Sequence, residues 1–170
     1  MPIRLHFVNT SSPTLAVPLD LAEVTILDAY LDDHGACQIT VESTVGHATC
    51  HRCGQVMTAS HGYGEPVTVR HLAMWGRPTY VTLRPRRFVC PHCSSPGHVV
   101  TTTQVVPWRQ AGSFYTRAYE DHLLLQLINS TVEDVARKEG LTSDAVQGLL
   151  ERRIATTVEW DDFERLTVMG

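Results

Sequence analysis

The chain has 170 residues, of which 43% are hydrophobic and 19% are charged, and its formal net charge is −4. These proportions are typical of a folded globular protein and exclude a chain that is disordered throughout. No apolar run approaches the roughly 18 residues of a membrane helix, and Asn and Ser residues interrupt any signal-like N-terminal stretch, so we expect no membrane association and a cytoplasmic protein with reduced thiols.

The charge is segregated along the chain. Residues 1–49 carry a net charge of −5, residues 50–120 carry +6, and residues 121–170 carry −5. Lys138 is the single lysine, so nearly all the positive charge lies on arginine, which favours bidentate contacts to phosphate and guanine. A basic centre between acidic ends indicates an anionic partner, with a solvated strand face as the alternative.

The first strand signals follow a Ser-, Thr- and Pro-rich stretch at residues 10–19, which we interpret as a loop. The runs VTILDAYL and CQITVES are β-compatible and are separated by the turn signal Asp32-Asp33-His34-Gly35. They predict a hairpin. We expect Cys37, in the second run, to be a buried apolar residue rather than a metal ligand.

A second strand pair is enclosed by two Cys-x-x-Cys motifs. The runs VTVRHLAM and TYVTLRPRRFVC are separated by the turn Trp75-Gly76-Arg77-Pro78, and 36 residues lie between Cys53 and Cys90. A two-residue gap in a tight turn brings two thiolates to one side, and two such turns supply the four sulfurs of a tetrahedral zinc site. A spacer of this length suits a hairpin.

The sequence therefore predicts one Zn²⁺ bound by Cys50, Cys53, Cys90 and Cys93. Four thiolates leave no position for a catalytic water, so we expect the zinc to be structural. A redox pair and an iron–sulfur site are the alternatives. The other candidate ligands are histidines close to the motifs, namely His51, His92 and His98.

The last third of the chain has a helical pattern. Apolar residues recur with helical period from Thr116 to Asn129. Residues 131–154 (TVEDVARKEGLTSDAVQGLLERRI) then predict a helix-turn-helix. Thr131 is the expected N-cap of its first helix, and Gly140 supplies the tight turn because it lacks a side chain.

The second helix of such a motif enters the DNA major groove with its outward N-terminal residues. With Ser143 or Thr142 as its cap, the predicted DNA contacts on this helix are Ser143, Asp144, Gln147 and Arg152. Gln147 is suited to adenine and Asp144 to the cytosine amino group. Five acidic residues oppose four basic ones in the motif, so packing of protein against protein is the alternative.

The predicted fold class is α+β, with a β-rich zinc-ribbon module followed by a helical helix-turn-helix module. We expect the β-rich module to span residues 1–110, with the zinc ribbon at residues 50–93, and the helical module to span residues 111–160. Residues 161–170 would form a tail or linker.

This order of motifs resembles the N-terminal region of bacterial insertion-sequence transposases, which carry a zinc ribbon, a helix-turn-helix and then an acidic-triad (DDE) nuclease domain. The resemblance covers about residues 25–170. It rests on the helix-turn-helix and on four shorter segments, namely Cys50-His51-Arg52-Cys53-Gly54, Arg70-His71-Leu72, Trp75-Gly76-Arg77-Pro78 and Arg86-Arg87-Phe88-Val89-Cys90.

The resemblance implies a chain that binds DNA and lacks the nuclease domain, either as a natural short protein or as a fragment. Asp161, Asp162 and Glu164 would then be surface acids rather than catalytic residues. The implied ligand is double-stranded DNA of the terminal inverted repeats, and the implied location is the bacterial nucleoid. Phosphate contacts are expected from the basic segment, at Arg70, Arg77, Arg84, Arg86 and Arg87.

Two other functions stay open. One is a stand-alone transcriptional regulator of the same architecture, and the other is a zinc-stapled protein-interaction adaptor with negligible DNA affinity at about 150 mM salt. A homodimer or a separate catalytic protein is a possible partner. The sequence has no Ser-His-Asp arrangement, phosphate loop or HExxH motif, so we expect no enzymatic activity.

Overall fold

A computed structural model of the chain describes the backbone of residues 3–4 and the whole of residues 19–154. The described residues fall into two compact units that divide the chain between Tyr119 and Glu120. Most of the loop expected at residues 10–19 lies outside the described residues, as do the expected tail at residues 161–170 and its acids Asp161, Asp162 and Glu164.

Strands make up nearly all the regular structure before residue 117, and helices follow. The strands are β1 (Ile3–Arg4), β2 (Val24–Leu31), β3 (Cys37–Ser43), β4 (Ala48–Thr49), β5 (Val56–Met57), β6 (Ser60–Tyr63), β7 (Val67–Met74), β8 (Arg77–Leu83), β9 (Arg86–Val89) and β10 (Thr101–Thr103). The helices are α1 (Arg117–Gln126), α2 (Val132–Glu139) and α3 (Ser143–Arg153). The predicted α+β class is confirmed. None of the described helices has the length and apolar character that crossing a membrane requires.

The largest sheet has five strands in the order β1-β2-β3-β8-β7. The hairpins β2–β3 and β7–β8 are those expected from the sequence, and they are joined by a parallel pairing of β3 with β8 in which Ile39 lies opposite Val81. In β3, alternate residues are buried, among them Cys37 with 2% of its surface exposed. The expectation that Cys37 is a buried apolar residue is therefore confirmed.

One hydrophobic core lies against this sheet. Alternation along the strands directs one set of apolar side chains to a common face, and residues that follow β10 pack with them. The core residues are Cys37, Ile39, Val41, Val69, Val81, Leu83, Val106 and Trp108.

A second, smaller core belongs to the zinc-ribbon region. It lies among the three-stranded sheet β10-β9-β6 and the pair β4–β5. Phe88, the buried centre of β9, is 1% exposed and packs with Met57, Val100 and two of the cysteines, Cys50 and Cys90. The apolar residues of these strands would form only a very small core by themselves. The two cysteines are part of this core.

The second unit holds most of α1 and all of α2 and α3. Thr131 caps α2, because its side chain accepts from the amide of Asp134 at 3.1 Å. Gly140 ends α2 with φ at 63°, a left-handed conformation that favours a residue without a side chain. Thr142, rather than Ser143, caps α3 through the amide of Ala145.

Helix α1 is shorter than the apolar pattern indicated. The helical period runs to Asn129, but α1 ends at Gln126. Asn129 has a positive φ of 60°, which is incompatible with a continuing right-handed helix. The apolar residues Leu127 and Ile128 therefore lie in a turn rather than in the last helical turn.

Candidate metal centre and nucleic-acid interface

The first Cys-x-x-Cys turn directly follows β4. Cys50 donates its amide to Gln55 O at 2.8 Å, and Gly54 donates to Cys50 O at 3.0 Å. Gly54 has φ at 71°, so a residue without a Cβ is favoured where the chain reverses. This tight turn holds the side chains of Cys50 and Cys53 on one side.

The second Cys-x-x-Cys turn follows β9 in the same way. Cys90 donates its amide to Val100 O at 2.9 Å, and Ser94 donates to Cys90 O at 3.1 Å. Strand pairing of β9 with β10 and with β6 fixes the position of this turn. The chain thus brings together two turns that are far apart in sequence.

The four thiol sulfurs lie within 4.8 Å of one another. The Sγ atoms of Cys50 and Cys93 are 3.9 Å apart, and those of Cys53 and Cys90 are 3.6 Å apart. A tetrahedral zinc ion with Zn–S bonds of about 2.3 Å requires sulfurs about 3.8 Å apart. The arrangement fits one zinc ion, and the four thiolates fill its coordination sphere.

The thiols differ in their tendency to ionise. Amide hydrogen bonds from Cys53 and Arg52 lower the pKa of the Cys50 thiol to about 6, whereas burial raises the pKa of Cys90. The pKa of Cys93 is raised to about 12, first by its hydrogen bond with Cys53 and then by burial. Four adjacent thiolates repel one another, so the positive charge of the metal is what stabilises all four together.

The neighbouring histidines are not needed as ligands. The Nδ1 of His51 lies 2.9 Å from Thr102 Oγ1, and His92 and His98 are exposed. Among the described residues, the four cysteines alone form a group of potential metal ligands. The prediction of one zinc ion as cofactor, held by a cluster of four cysteines, is confirmed.

The arginines of β9 are engaged with the protein itself. Arg86 Nη2 donates to Glu42 Oε1 at 2.8 Å, and both side chains are 32% exposed. Arg87 Nη2 donates to Thr101 Oγ1 at 2.7 Å. Arg86 is therefore paired with an acid of the N-terminal hairpin, although the sequence predicts it as a phosphate contact.

The other predicted phosphate contacts lie along β7 and β8. Arg84 is exposed and forms no ion pair with any described residue. Arg77 Nη1 donates to Gly35 O at 3.1 Å. The guanidinium carbon of Arg70 lies 5.0 Å from the ring centre of Tyr119, within the range of a cation–π contact.

The predicted base-contacting residues lie on the exposed side of α3. Ser143, Asp144, Gln147 and Arg152 are all exposed, whereas Val146 and Leu149 on the opposite side are buried. Gln147 Nε2 donates to Glu151 Oε1 at 3.2 Å. Spacings of three and four residues place these side chains in two adjacent rows along the helix.

Sequence reasoning did not identify the acid that holds the end of α3. Glu120 in α1 is fully buried, and it pairs with Arg153 at 2.8 Å and with Arg152 at 3.7 Å. Its position between the apolar residues Tyr119 and Leu123 was the available signal, because it places the carboxylate on the buried side of the helix. Arg152 thus lies in the exposed row of α3 and also takes part in this ion pair with Glu120.

Comparison with known protein families gives two matches. Residues 47–93 match the zinc-finger of transposase IS204/IS1001/IS1096/IS1165, and residues 104–154 match the helix-turn-helix domain of transposase family ISL3. Neither a curated protein nor a solved structure matches the chain. Both matched regions are DNA-binding domains, and together they cover more than half of the chain. The chain therefore carries the zinc ribbon and the helix-turn-helix of ISL3-type transposases.

Proposed function

We propose that this chain binds the terminal inverted repeats of its transposon as double-stranded DNA. In this proposal its 170 residues bind the DNA and do not cleave it. The observation that carries the proposal is the exposed side of α3, where Ser143, Asp144 and Gln147 stand on a helix whose opposite side is buried. In a helix-turn-helix this side faces the major groove. Binding of this kind would place the protein at the bacterial nucleoid.

Base recognition is assigned to the N-terminal half of α3. Gln147 has the amide donor and acceptor that match adenine, and Asp144 can accept from the amino group of cytosine. Arg152, which lies one to two turns further on, is suited to the phosphate backbone. Its distance of 3.7 Å from Glu120 leaves part of its guanidinium for a second partner.

Phosphate binding is assigned to the basic zinc-ribbon region. Arg84 contributes most in this assignment because it is exposed and forms no ion pair with a described residue. Arg87 and Arg77 keep guanidinium donors beyond those that bind Thr101 and Gly35. Arg86 and Arg70 contribute less, since Glu42 and Tyr119 occupy them. The module boundaries proposed for this division of labour are residues 1–110 and 111–160.

The test is fluorescence anisotropy of the zinc-loaded chain on DNA from the flanks of its own gene and on scrambled DNA, over a range of salt concentrations. We expect sequence-dependent binding that weakens with salt. Arg84→Ala should weaken binding to both DNAs and reduce the salt slope by about one, whereas Arg84→Lys keeps the charge and should keep the slope. Gln147→Ala should weaken binding to the specific DNA alone.

A protein-interaction adaptor is the second candidate, and one observation favours it. Leu125 near the end of α1 and Ile128 in the turn that follows are 67% and 64% exposed, and large apolar side chains left open to solvent are suited to a protein partner. A second copy of the chain or a separate catalytic protein would fit this surface. Equal and weak binding to both DNAs near 150 mM salt would reject the DNA proposal and favour the adaptor.

A further inference from the structure

Trp75 occupies the tip of the β7–β8 hairpin. Met74 pairs with Arg77, so Trp75 and Gly76 alone form the connection between the strands. Trp75 as a whole is 63% exposed. A large aromatic side chain therefore projects from the end of the five-stranded sheet.

The backbone at this tip is unfavourable for tryptophan. Trp75 and Gly76 have φ values of 52° and 71°, as in a two-residue type I′ turn. The first position of that turn prefers asparagine, aspartate or glycine, and a bulky residue there is an outlier. Neither the turn conformation nor burial accounts for a tryptophan at this position. Contact with a ligand is the remaining explanation that we consider.

Contacts with the neighbouring turn fix the position of this tip. Arg77 Nη1 donates to Gly35 O at 3.1 Å, which ties the hairpin to the neighbouring β2–β3 turn. A Cβ at Gly35 would lie only 2.8 Å from the same nitrogen, so glycine is what allows the approach. Parallel pairing of β3 with β8 holds the two turns side by side. Trp75 is consequently presented in one position rather than on a loose loop.

The ring itself carries no charge, so the part of DNA that it can contact closely is a nucleobase rather than a phosphate. Asp32 in the adjacent turn accepts from the amides of His34 and Ala36 at 3.0 and 2.9 Å, which keeps its carboxylate in place. The pKa of Asp32 is lowered, first by its hydrogen bond with Gln38. Arg77 and Asp32 carry opposite charges beside the tip, whereas the uncharged ring can stack on a nucleobase, an interaction that tolerates any sequence.

We propose that Trp75 is a nucleobase-contacting residue that stacks on, or inserts beside, a base of the bound DNA. The inference rests on the proposed DNA-binding function and deepens it. Strand β8 has seven residues between this tip and Arg84. That length corresponds to about 23 Å, or roughly seven base pairs, between the contacted base and the phosphates held by Arg84.

Trp75→Asn separates a role in binding from a role in folding. Asparagine followed by glycine is a preferred type I′ pair, so the variant should melt at the temperature of the unaltered chain or above it. Its DNA affinity should fall about tenfold, and its salt slope should stay the same because tryptophan carries no charge. Trp75→Phe, which keeps an aromatic ring, should lose much less.

The contacted base can be located with 2-aminopurine placed at successive positions of the duplex. We expect one position to change its fluorescence with the unaltered chain and not with Trp75→Asn. Unchanged affinity of Trp75→Asn would overturn the inference and leave the proposed function intact. A loss of affinity together with a loss of thermal stability would also overturn it, because the tryptophan would then be structural. If the unaltered chain failed to bind, the proposed function would fall first.

Discussion

Arg86 Nη2 donates to Glu42 Oε1 at 2.8 Å, and the hydroxyl of Tyr63 donates to the same oxygen at 2.8 Å. The hydrogen bond from Arg86, followed by that from Tyr63, lowers the pKa of Glu42. An arginine of the basic region is thus paired internally with a carboxylate of the acidic N-terminal segment. A phosphate that approached Arg86 would have to compete with Glu42.

The first prediction concerns this competition. Glu42→Gln should raise affinity for DNA of any sequence and steepen the salt dependence by up to about one, because Arg86 becomes available to a phosphate. Anisotropy titrations over a range of salt concentrations measure both quantities. The double variant Glu42→Gln/Arg86→Ala is the control and should lose the gain. Unchanged affinity and slope in Glu42→Gln would show that Arg86 does not meet DNA.

The second prediction concerns the metal. Cys90→Ser removes one thiolate from a cluster whose apparent zinc affinity is on the order of 10 kcal/mol in comparable sites. We expect the variant to lose zinc and the zinc-ribbon strands to unfold, because Cys90 and Cys50 also form part of the small core around Phe88. Zinc content and near-UV circular dichroism measure the two effects.

The matched control for the metal is Cys37→Ala, which alters a cysteine that is equally buried but lies in the core of the five-stranded sheet. It should keep one equivalent of zinc and lose only about 1–2 kcal/mol of stability. A Cys90→Ser variant with the melting curve and near-UV spectrum of the unaltered chain would contradict the structural role of zinc.

The third prediction concerns the ion pair between α1 and α3. Glu120 is fully buried and pairs with Arg153 at 2.8 Å. Glu120→Ala removes the buried acceptor of Arg153 and leaves its site in the core unfilled, while Arg153 keeps Asp121 as a partner, and we expect a loss of about 2–3 kcal/mol in the free energy of unfolding. Asp121, which is exposed and also pairs with Arg153, provides the control, because Asp121→Ala should cost less than about 1 kcal/mol. Urea unfolding followed by far-UV circular dichroism compares them, and equal losses would be contrary to expectation.

The fourth prediction concerns pH. Burial lowers the pKa of His71, against the opposing effects of Leu19 O and Asp20, and its Nδ1 lies 2.9 Å from Thr116 Oγ1. A histidine whose pKa is lower in the folded than in the unfolded chain stabilises the fold above the unfolded pKa of about 6.5, and this contribution is lost as the pH falls below that value.

The measurement is the urea midpoint of the unaltered chain and of His71→Asn at pH 7.5 and pH 5.5. The difference between the two proteins at each pH cancels the pH dependence of zinc binding, which they share. We expect the unaltered chain to lose more stability than His71→Asn between the two pH values. Parallel losses would mean that His71 does not carry this pH dependence.

Much of the local structure was predictable from the sequence. The runs VTILDAYL, CQITVES and VTVRHLAM coincide with β2, β3 and β7, because alternating β-branched residues and turn residues act over a few positions. The Cys-x-x-Cys spacing predicted the metal cluster for the same reason, since each turn is local. At Gly140, the need for a left-handed residue marked the turn between the two helices.

The tertiary structure decided what depends on residues far apart in the chain. The parallel pairing of β3 with β8 brings Ile39 beside Val81, and no local pattern specifies that partner, because burial of both strands in one sheet selects it. The same holds for Arg86, which the sequence marks as a phosphate contact but the fold places against Glu42.

The sequence by itself determined the main strands and helices, the zinc cluster and the order of the two DNA-binding regions, since these follow from spacing and from turn and helix chemistry. Only the tertiary structure decided which charges remain available to a ligand. Glu120 and Arg84 illustrate the difference, because the first is fully buried and the second is exposed. Burial and pairing depend on the whole packed chain, and a charge acts on a partner only where packing leaves it accessible.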